Sequence, residues 1–265
     1  MEQVNLVVFT DLDGTLLDHE TYSYAPAQPA LERLASCRIP LILASSKTAG
    51  EMAPIRQAIG FSHAPMICEN GGGIVPGGVE GRVDRSGYWR LRDALDRMPP
   101  DLRSRFEGFG DMSVARVREV TGLPEADAVL AKERAFTEPG LWSGPGEDSF
   151  VEALEAFAIT ARRGGRFLTL GAGTTKADRL SEITSQYGAS FTVALGDAPN
   201  DAEMLLAADR GILIPNPHAP DMSDLIEQSE GRIALAEEPG PAGWARALGL
   251  LLDELGYQDK GERHG

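Results

Sequence analysis

Two carboxylates one residue apart, directly after a short apolar run, are the first feature of this sequence that could carry out chemistry. Asp11 and Asp13 belong to the string Asp-Leu-Asp-Gly-Thr, which follows the apolar residues 6–9. Two acids this close repel each other unless a cation neutralises them, and hard carboxylate oxygens favour Mg²⁺. Gly14 permits a sharp backbone turn behind the pair. An ordinary Asp-Gly turn is the alternative, but the full string is expected by chance in only about one of several hundred chains, so we interpret it as a site for a cation.

A hydroxyl and a cation follow the second apolar run. Ser45 and Lys47 come directly after residues 41–44, where they could contact an anion held near the first motif. The alternative is that Ser45 or Ser46 is the N-cap of the helix that follows.

Three more charged residues complete the candidate site. Lys176 begins a helical pattern, although a helix dipole disfavours a cation at that end unless an anion is bound close by. A solvated lysine is the alternative there. Asp197 and Asp201 follow the apolar residues 191–195, and next to the first motif they add two carboxylates to the same predicted site.

The elements that must position these residues alternate between short apolar runs and helical patterns. The predicted strands are residues 6–9, 41–44, 66–68, 191–195, 211–214 and 232–235. The predicted helices between them are residues 29–37, 48–59, 176–187, 200–208 and 241–255, the second of which opens with a Thr48–Glu51 capping box. This alternation predicts a doubly wound, parallel α/β sheet of Rossmann-like type, in which all the motif residues meet at the carboxyl edge of the strands.

The middle of the chain has a different pattern and predicts an inserted domain. The core is expected in two parts, residues 1–81 and 171–256. Between them we expect an inserted α/β cap at 82–170, and after them a frayed tail at 257–265. Within the cap, the predicted helices are residues 88–98, 111–120, 125–132 and 148–162, and the predicted extended pieces are 134–137 and 166–170.

Composition restricts the partners. The chain has 265 residues and a formal net charge of −15, which argues against nucleic acid or an anionic membrane surface as a partner. No apolar run approaches the roughly 20 residues of a membrane span, and the start of the chain lacks a basic, apolar leader. We therefore expect a cytoplasmic protein whose substrate is a small molecule; the oligomeric state is not predicted.

The four motifs, in this order, resemble those of the haloacid dehalogenase-like phosphatases. The resemblance implies that Asp11 is the phosphate-accepting nucleophile and Asp13 the general acid and base. It further implies that Ser45 and Lys176 hold the phosphate. The implied Mg²⁺ ligands are Asp11, Asp13 through its main-chain carbonyl, Asp197 and Asp201.

A narrower resemblance concerns the substrate. The strings Ser-Ser-Lys-Thr at 45–48, Glu-Asn-Gly at 69–71 and Arg-Ala-Phe-Thr-Glu-Pro at 134–139 are similar to those of the mannosyl-3-phosphoglycerate phosphatases. The residues expected to bind such a sugar-glycerate substrate are Lys47, Glu69, Asn70, Arg134, Arg166 and Asn200. The alternatives are a phosphatase for glucosyl-3-phosphoglycerate or another sugar phosphate, and a phosphomutase of the same superfamily.

Overall fold

The structure, a computed structural model, describes residues 5–78 and 83–257. The predicted boundary at 81/82 and most of the predicted tail, 258–265, lie outside the described residues. The strands are β1 (Leu6–Thr10), β2 (Leu41–Ala44), β3 (Met66–Cys68), β4 (Gly73–Val75), β5 (Phe106–Gly108), β6 (Glu138–Trp142), β7 (Thr160–Gly164), β8 (Phe167–Gly171), β9 (Phe191–Gly196), β10 (Arg210–Leu213) and β11 (Ile233–Leu235). The helices are α1 (Gln28–Ser36), α2 (Ala49–Ala58), α3 (Ser86–Asp96), α4 (Pro100–Arg103), α5 (Val114–Thr121), α6 (Glu125–Ala131), α7 (Glu147–Glu155), α8 (Lys176–Tyr187), α9 (Ala202–Ala207), α10 (Ser223–Gln228) and α11 (Gly240–Glu254).

The larger sheet has the order β11-β10-β9-β1-β2-β3-β4 and is parallel except for its last strand. Every residue of β1 is buried, as expected for a central strand covered on both faces. The strand order changes direction at β1, whose neighbours are β2 and β9. Ligands bind outside the carboxyl ends of strands at such a switch point. The predicted α/β fold is therefore confirmed, and its geometry places the site after β1.

The second sheet is antiparallel, with the order β5-β6-β8-β7. Separate apolar clusters pack with it: one includes residues of α3 and α7, and the other residues of α5 and α6. All four strands fall between Phe106 and Gly171, within or next to the predicted insertion. The division into core and cap at 82–170 stays a prediction.

Helical periodicity overestimated the helices of this second layer. The helix predicted over 148–162 ends at Glu155, and residues 160–164 instead pair with β8 as strand β7. Ala158, between the two, has a left-handed φ of 55°, which interrupts the helix. Residues 134–137 are not a strand either, because their backbone N–H groups bond to a side chain of the core rather than to a neighbouring strand.

The first residue of the predicted frayed tail is packed against the rest of the described chain. Tyr257 is 4 % exposed, and its N–H donates to the Leu252 carbonyl at 2.8 Å. The last helix is anchored more centrally by Trp244, whose indole N–H donates to the Thr10 hydroxyl at 2.9 Å inside the core. This bond fixes α11 against the residue that precedes Asp11. Within the described residues, no helix is long and apolar enough to cross a membrane.

The two layers meet at a buried junction formed by Glu69 and the start of the second layer. The Glu69 carboxylate accepts hydrogen bonds from the backbone N–H groups of Ala135, Phe136 and Thr137 at 2.8, 3.1 and 2.7 Å. Close by, Gly71 lies against the start of α8, where a Cβ atom would come within 2.1 Å of the Thr175 carbonyl carbon. Within the Glu-Asn-Gly string, Glu69 therefore bonds the core to the second layer, and Gly71 allows close packing against the start of α8.

Candidate active site

The two acidic motifs are brought together by the pairing of β1 with β9. Thr10 is in register with Leu195, and the Asp11 N–H donates to the Leu195 carbonyl at 2.9 Å. The chain of β9 ends at Gly196, so Asp197 leaves its strand beside the point where Asp11 leaves β1. A pairing between strands far apart in sequence thus creates the site.

Three buried carboxylates form a cluster at this edge. Ligand oxygens of Asp11, Asp197 and Asp201 all lie within 4.8 Å of one another, and the three side chains are buried. Asp201 is held in place because one of its oxygens accepts the backbone N–H groups of Asp197 and Ala198, both at 3.1 Å. The predicted grouping of these three residues is what the structure shows.

Lys176 extends into the cluster from the first residue of α8. Its ammonium is 2.6 Å from Asp11 and 2.6 Å from Asp201, and its side chain is 1 % exposed. Thr175 is the N-cap of the helix and forms a capping box with Asp178, so the helix start is satisfied independently of Lys176. The alternative of a solvated lysine is therefore wrong.

The cluster contains more carboxylates than ammonium groups, which favours the binding of another cation. Burial disfavours the charged ammonium of Lys176, but the carboxylates of Asp11 and Asp201 outweigh it and raise the lysine pKa. Burial, together with the charge of Asp201, raises the pKa of Asp11 well above its usual range despite Lys176. Burial likewise raises the pKa of Asp197. One ammonium does not neutralise three carboxylates, and an all-oxygen donor set of this kind suits Mg²⁺.

Two residues that orient Asp197 were not singled out from the sequence. The Thr15 hydroxyl donates to one Asp197 oxygen at 2.6 Å, and the Asn216 amide donates to the other. Gly14, between them in space, has φ +81°, and a Cβ there would lie 2.6 Å from Asp197. Thr15 is part of the first motif and could have been included, whereas Asn216 follows β10 and carries no recognisable spacing signal.

Asp13 lies apart from the carboxylate cluster and pairs with Lys47. The Lys47 ammonium is 2.7 Å from Asp13 Oδ2, and the charge of Asp13 raises the lysine pKa although burial acts in the opposite direction. The other oxygen, Asp13 Oδ1, is buried and has no hydrogen-bond partner among the described residues. A buried oxygen without a partner is unfavourable, so it marks a position for a donor that arrives with a ligand. The prediction that the main-chain carbonyl of Asp13 binds a metal does not involve this side chain and stays a prediction.

Ser45 is at the same edge, directly after β2. It is 1 % exposed, and its hydroxyl oxygen accepts the Lys47 N–H at 3.3 Å. The N-cap of α2 is Thr48, which forms the predicted capping box with Glu51. The capping alternative for Ser45 and Ser46 is therefore wrong.

Of the residues expected to bind substrate, Asn70 and Asn200 meet each other. The Asn200 amide donates to the Asn70 side-chain oxygen at 3.3 Å, across 130 residues of sequence. Asn70 has a left-handed φ of 56°, a conformation that asparagine tolerates better than most residues, and its N–H donates to the Ser45 carbonyl. The structure therefore joins the backbone of Asn70 to Ser45 and the side chain of Asn70 to Asn200.

Glu69 and Arg134 form a buried ion pair. Both Glu69 oxygens are taken by the junction described above, and Arg134 Nε is 3.2 Å from one of them. The Arg134 guanidinium also donates to the Ser46 carbonyl and the Thr137 hydroxyl. The two charges are buried and paired with each other and with the loop, and the expectation that these side chains bind glycerate or sugar stays a prediction.

Arg166 is exposed on the turn between β7 and β8, where its guanidinium donates to the Val120 carbonyl at 2.6 Å. The structure does not bring it together with any of the other predicted site residues. Among the predicted basic residues outside the carboxylate cluster, Lys47 is the one that contacts a catalytic candidate.

Comparisons with known proteins identify the family and the fold. Residues 8–80 match the family described as haloacid dehalogenase-like hydrolase. The chain is 36 % identical to a glucosyl-3-phosphoglycerate/mannosyl-3-phosphoglycerate phosphatase of Persephonella marina, over 94 % of this chain and 98 % of the relative. A phosphatase of the same description from Methanococcoides burtonii is 33 % identical over 93 % and 97 %. In fold, the chain is similar to a phosphatase of the haloalkanoate superfamily from Bacteroides thetaiotaomicron, with a TM-score of 0.63, 19 % identity and 97 % of each chain covered.

Proposed function

The chain belongs to the haloacid dehalogenase-like phosphatases, and from that premise we propose that it hydrolyses the phosphate ester of mannosyl-3-phosphoglycerate and of its glucosyl counterpart. The products are the sugar-glycerate and inorganic phosphate. Support for the substrate comes from the two relatives, which are named for both compounds and cover nearly the whole chain.

The observation that carries the mechanism is the different setting of the two motif carboxylates. Asp11 is in the carboxylate cluster beside Lys176, whereas Asp13 is paired with Lys47 and has one partnerless oxygen. Two titratable groups in such different surroundings can divide the roles of nucleophile and acid–base catalyst. This division fits a two-step phosphoryl transfer.

In the first step, a carboxylate oxygen of Asp11 attacks phosphorus and the bond from phosphorus to the glycerate oxygen breaks. Asp13 gives its proton to that oxygen, so the leaving group departs as an alcohol. In the second step, Asp13 takes a proton from a water molecule that attacks the phosphorus of the Asp11 acyl phosphate. Inorganic phosphate leaves, and the Asp11 carboxylate is regenerated.

The remaining cluster residues stabilise charge. Lys176 and the Ser45 hydroxyl are placed to hold the phosphoryl oxygens, over which negative charge spreads in the transition state. Asp11, Asp197 and Asp201, with the Asp13 carbonyl, would hold Mg²⁺, which when bound supplies the positive charge that lets a phosphate approach these carboxylates.

The glycerate part of the substrate also carries a carboxylate. Since Arg134 is buried and satisfied and Arg166 lies elsewhere, Lys47 is the predicted cation best placed to face it. Its ammonium has three N–H donors, and Asp13 uses one.

A substrate panel tests the proposal. We expect the purified chain with Mg²⁺ to release inorganic phosphate from both sugar-phosphoglycerates with kcat/KM at least about 10-fold above that for mannose 6-phosphate or sucrose 6-phosphate. Asp11→Asn, purified in parallel, excludes a contaminating phosphatase. Preference for a simple sugar phosphate, or an isomerised sugar phosphate as product instead of free phosphate, would contradict the proposal.

A further inference from the structure

The loop that follows the first motif presents the ring of Tyr22 to solvent on a hydrogen-bonded backbone. Asp18 organises this loop: its carboxylate accepts the Thr21 N–H at 2.9 Å and the Thr21 hydroxyl at 2.7 Å. The Tyr22 N–H donates to the Asp18 carbonyl at 2.9 Å, and the Asp18 N–H to the Ser23 carbonyl at 3.0 Å. These bonds hold the backbone of Tyr22 independently of its ring.

The conformation of Tyr22 is costly and is not explained by burial. Its φ is 56°, a left-handed value that is a genuine outlier for a bulky residue and costs on the order of 1–3 kcal/mol. Burial of the ring would offset this cost, yet Tyr22 is 53 % exposed. Of the exposed large apolar side chains in the described part of the chain, Tyr22 is the one with a left-handed backbone. Strain of this kind is typical of binding sites.

The ring is next to the proposed acid–base catalyst. The Lys47 ammonium is 5.4 Å from the centroid of the Tyr22 ring, within the range of a cation–π contact, and 2.7 Å from Asp13. Asp13 must come within about 2.6–3.2 Å of the leaving oxygen to protonate it. The organic part of the substrate therefore begins at Asp13, within reach of Lys47 and Tyr22.

We propose that Tyr22 is a specificity-determining residue whose exposed ring packs against the sugar of the substrate, while Lys47 faces the glycerate carboxylate. The C–H groups on one face of a hexose match the electron-rich face of an aromatic ring, and the contact removes apolar surface of both from water. The proposal rests on the proposed function, because it requires a substrate in which a sugar is attached to the phosphorylated glycerate.

The test compares two substrates that differ only in the sugar, mannosyl-3-phosphoglycerate and 3-phosphoglycerate. The measured quantity is the ratio of their kcat/KM values. Tyr22→Asn removes the ring but tolerates the left-handed backbone, and we expect it to lower this ratio about 10-fold, equivalent to about 1.4 kcal/mol of lost contact. Tyr22→Phe keeps the ring, and its ratio is expected within about 2-fold of wild type. Trp89→Ala, which removes another exposed aromatic ring that is 58 % exposed on α3, is the matched control and should leave the ratio unchanged.

Other outcomes have distinct meanings. Equal losses on both substrates in Tyr22→Asn would overturn the proposal, since they would make Tyr22 a support for Lys47 and Asp13. An unchanged ratio with no loss of kcat/KM on either substrate would also overturn it, since the ring would then have no part in binding the substrate. Wild-type protein that hydrolyses other phosphate esters but not the sugar-phosphoglycerate would contradict the proposed function itself, and this is seen before any variant is made.

Discussion

At the scale of single residues, the account depends on the different surroundings of Asp11 and Asp13. The two are separated by a single residue in the sequence, yet their side chains have different partners, Lys176 for Asp11 and Lys47 for Asp13. Carboxylate oxygens of Asp197 and Asp201 lie within 4.8 Å of the first, and a buried oxygen without a partner among the described residues distinguishes the second. In the proposed mechanism, this separation allows Asp11 to become phosphorylated while Asp13 transfers protons.

Removal of the Asp13 carboxyl tests its role as acid and base. In Asp13→Ala, we expect kcat for the sugar-phosphoglycerate to fall about 10²–10⁴-fold, because no other described carboxyl has a free oxygen at this position. The measurement is steady-state release of inorganic phosphate, with thermal unfolding as a check on the fold. Asp148→Ala, which removes an exposed carboxylate at the start of α7, is the control and should keep wild-type activity. Wild-type kcat in Asp13→Ala would assign proton transfer to another group.

The sequence predicted the charged residues of the site better than their neutral partners. Asp11, Asp197 and Asp201 follow apolar strands, so parallel pairing alone predicts that they meet. Asn216, which binds Asp197, follows a strand too, but a single asparagine in a polar loop has no spacing to distinguish it. Tyr22 was missed for a related reason, since its importance lies in a backbone angle that side-chain type does not reveal.

At the scale of elements, the junction of Glu69 and Arg134 bonds the core to the loop that leads into the second layer. Glu69 comes directly after β3 and receives three backbone N–H groups of the loop that leads into β6. Arg134, on the same loop, is bonded to the carbonyl of Ser46, next to Ser45. One buried ion pair thus links the end of β2, where Ser45 lies, to the second layer.

Arg134→Ala tests this structural role. Breaking a buried ion pair by removing one partner costs about 3–5 kcal/mol, so we expect a large loss in the free energy of unfolding. Because the whole second layer is affected, kcat/KM should fall by similar factors for mannosyl-3-phosphoglycerate and mannose 6-phosphate. Arg163→Ala removes a half-exposed partner of Glu147 on the same layer and should cost at most about 1 kcal/mol. A loss confined to the sugar-phosphoglycerate would instead restore Arg134 as a ligand for the glycerate.

The strands and helices predicted for the core agree with the structure within two residues, although β4 and α10 were not predicted. In the second layer α3, α6 and β8 were predicted equally well, whereas β5, β6 and β7 were missed. Strands such as β1 and β9 are short, apolar and bounded by turns, which gives a clear signal. Strand β7 contains Thr-Ala-Arg-Arg-Gly and is almost entirely exposed, so its sequence has no buried face to indicate pairing with β8. The buried ion pair of Glu69 and Arg134 could not be predicted, because their positions in the sequence do not show that the two side chains meet.

At the scale of the whole molecule, the formal net charge of −15 has to be reconciled with a doubly charged phosphate substrate. Lys176 and Lys47 are the local cations, and each is already paired with a carboxylate. A divalent cation in the carboxylate cluster would complete the neutralisation. Metal binding should therefore couple to the stability of the entire chain.

Thermal unfolding with and without Mg²⁺ measures this coupling without reference to activity. At 100 times its Kd, Mg²⁺ should stabilise the fold by about 2.7 kcal/mol, with a rise in Tm of about 2–4 °C for each kcal/mol. Asp197→Ala should abolish the rise, whereas Asp148→Ala should retain it. An identical rise in wild type and Asp197→Ala would place the metal elsewhere.

The pH dependence of this rise has a definite sign. Because burial raises the pKa of Asp11 and Asp197, the folded metal-free protein holds protons that the unfolded chain releases. The stability these groups contribute is present below the usual aspartate pKa of about 3.9 and is lost as pH rises through their folded pKa values. Mg²⁺ replaces these protons, so its effect on Tm should be small in acid and grow as the pH increases. A rise in Tm that is independent of pH would contradict this linkage.

The central claim is that phosphate passes through the side chain of Asp11, and rapid acid quenching during turnover of mannosyl-3-phosphoglycerate tests it most directly. We expect at most one phosphate per chain, located by mass spectrometry on the peptide that contains Asp11, and formed and lost at least as fast as kcat. The same peptide from Asp11→Asn should carry no phosphate, and that variant should not turn over. Phosphate on a different residue, or an Asp11→Asn variant that still releases phosphate at the wild-type rate, would contradict the account.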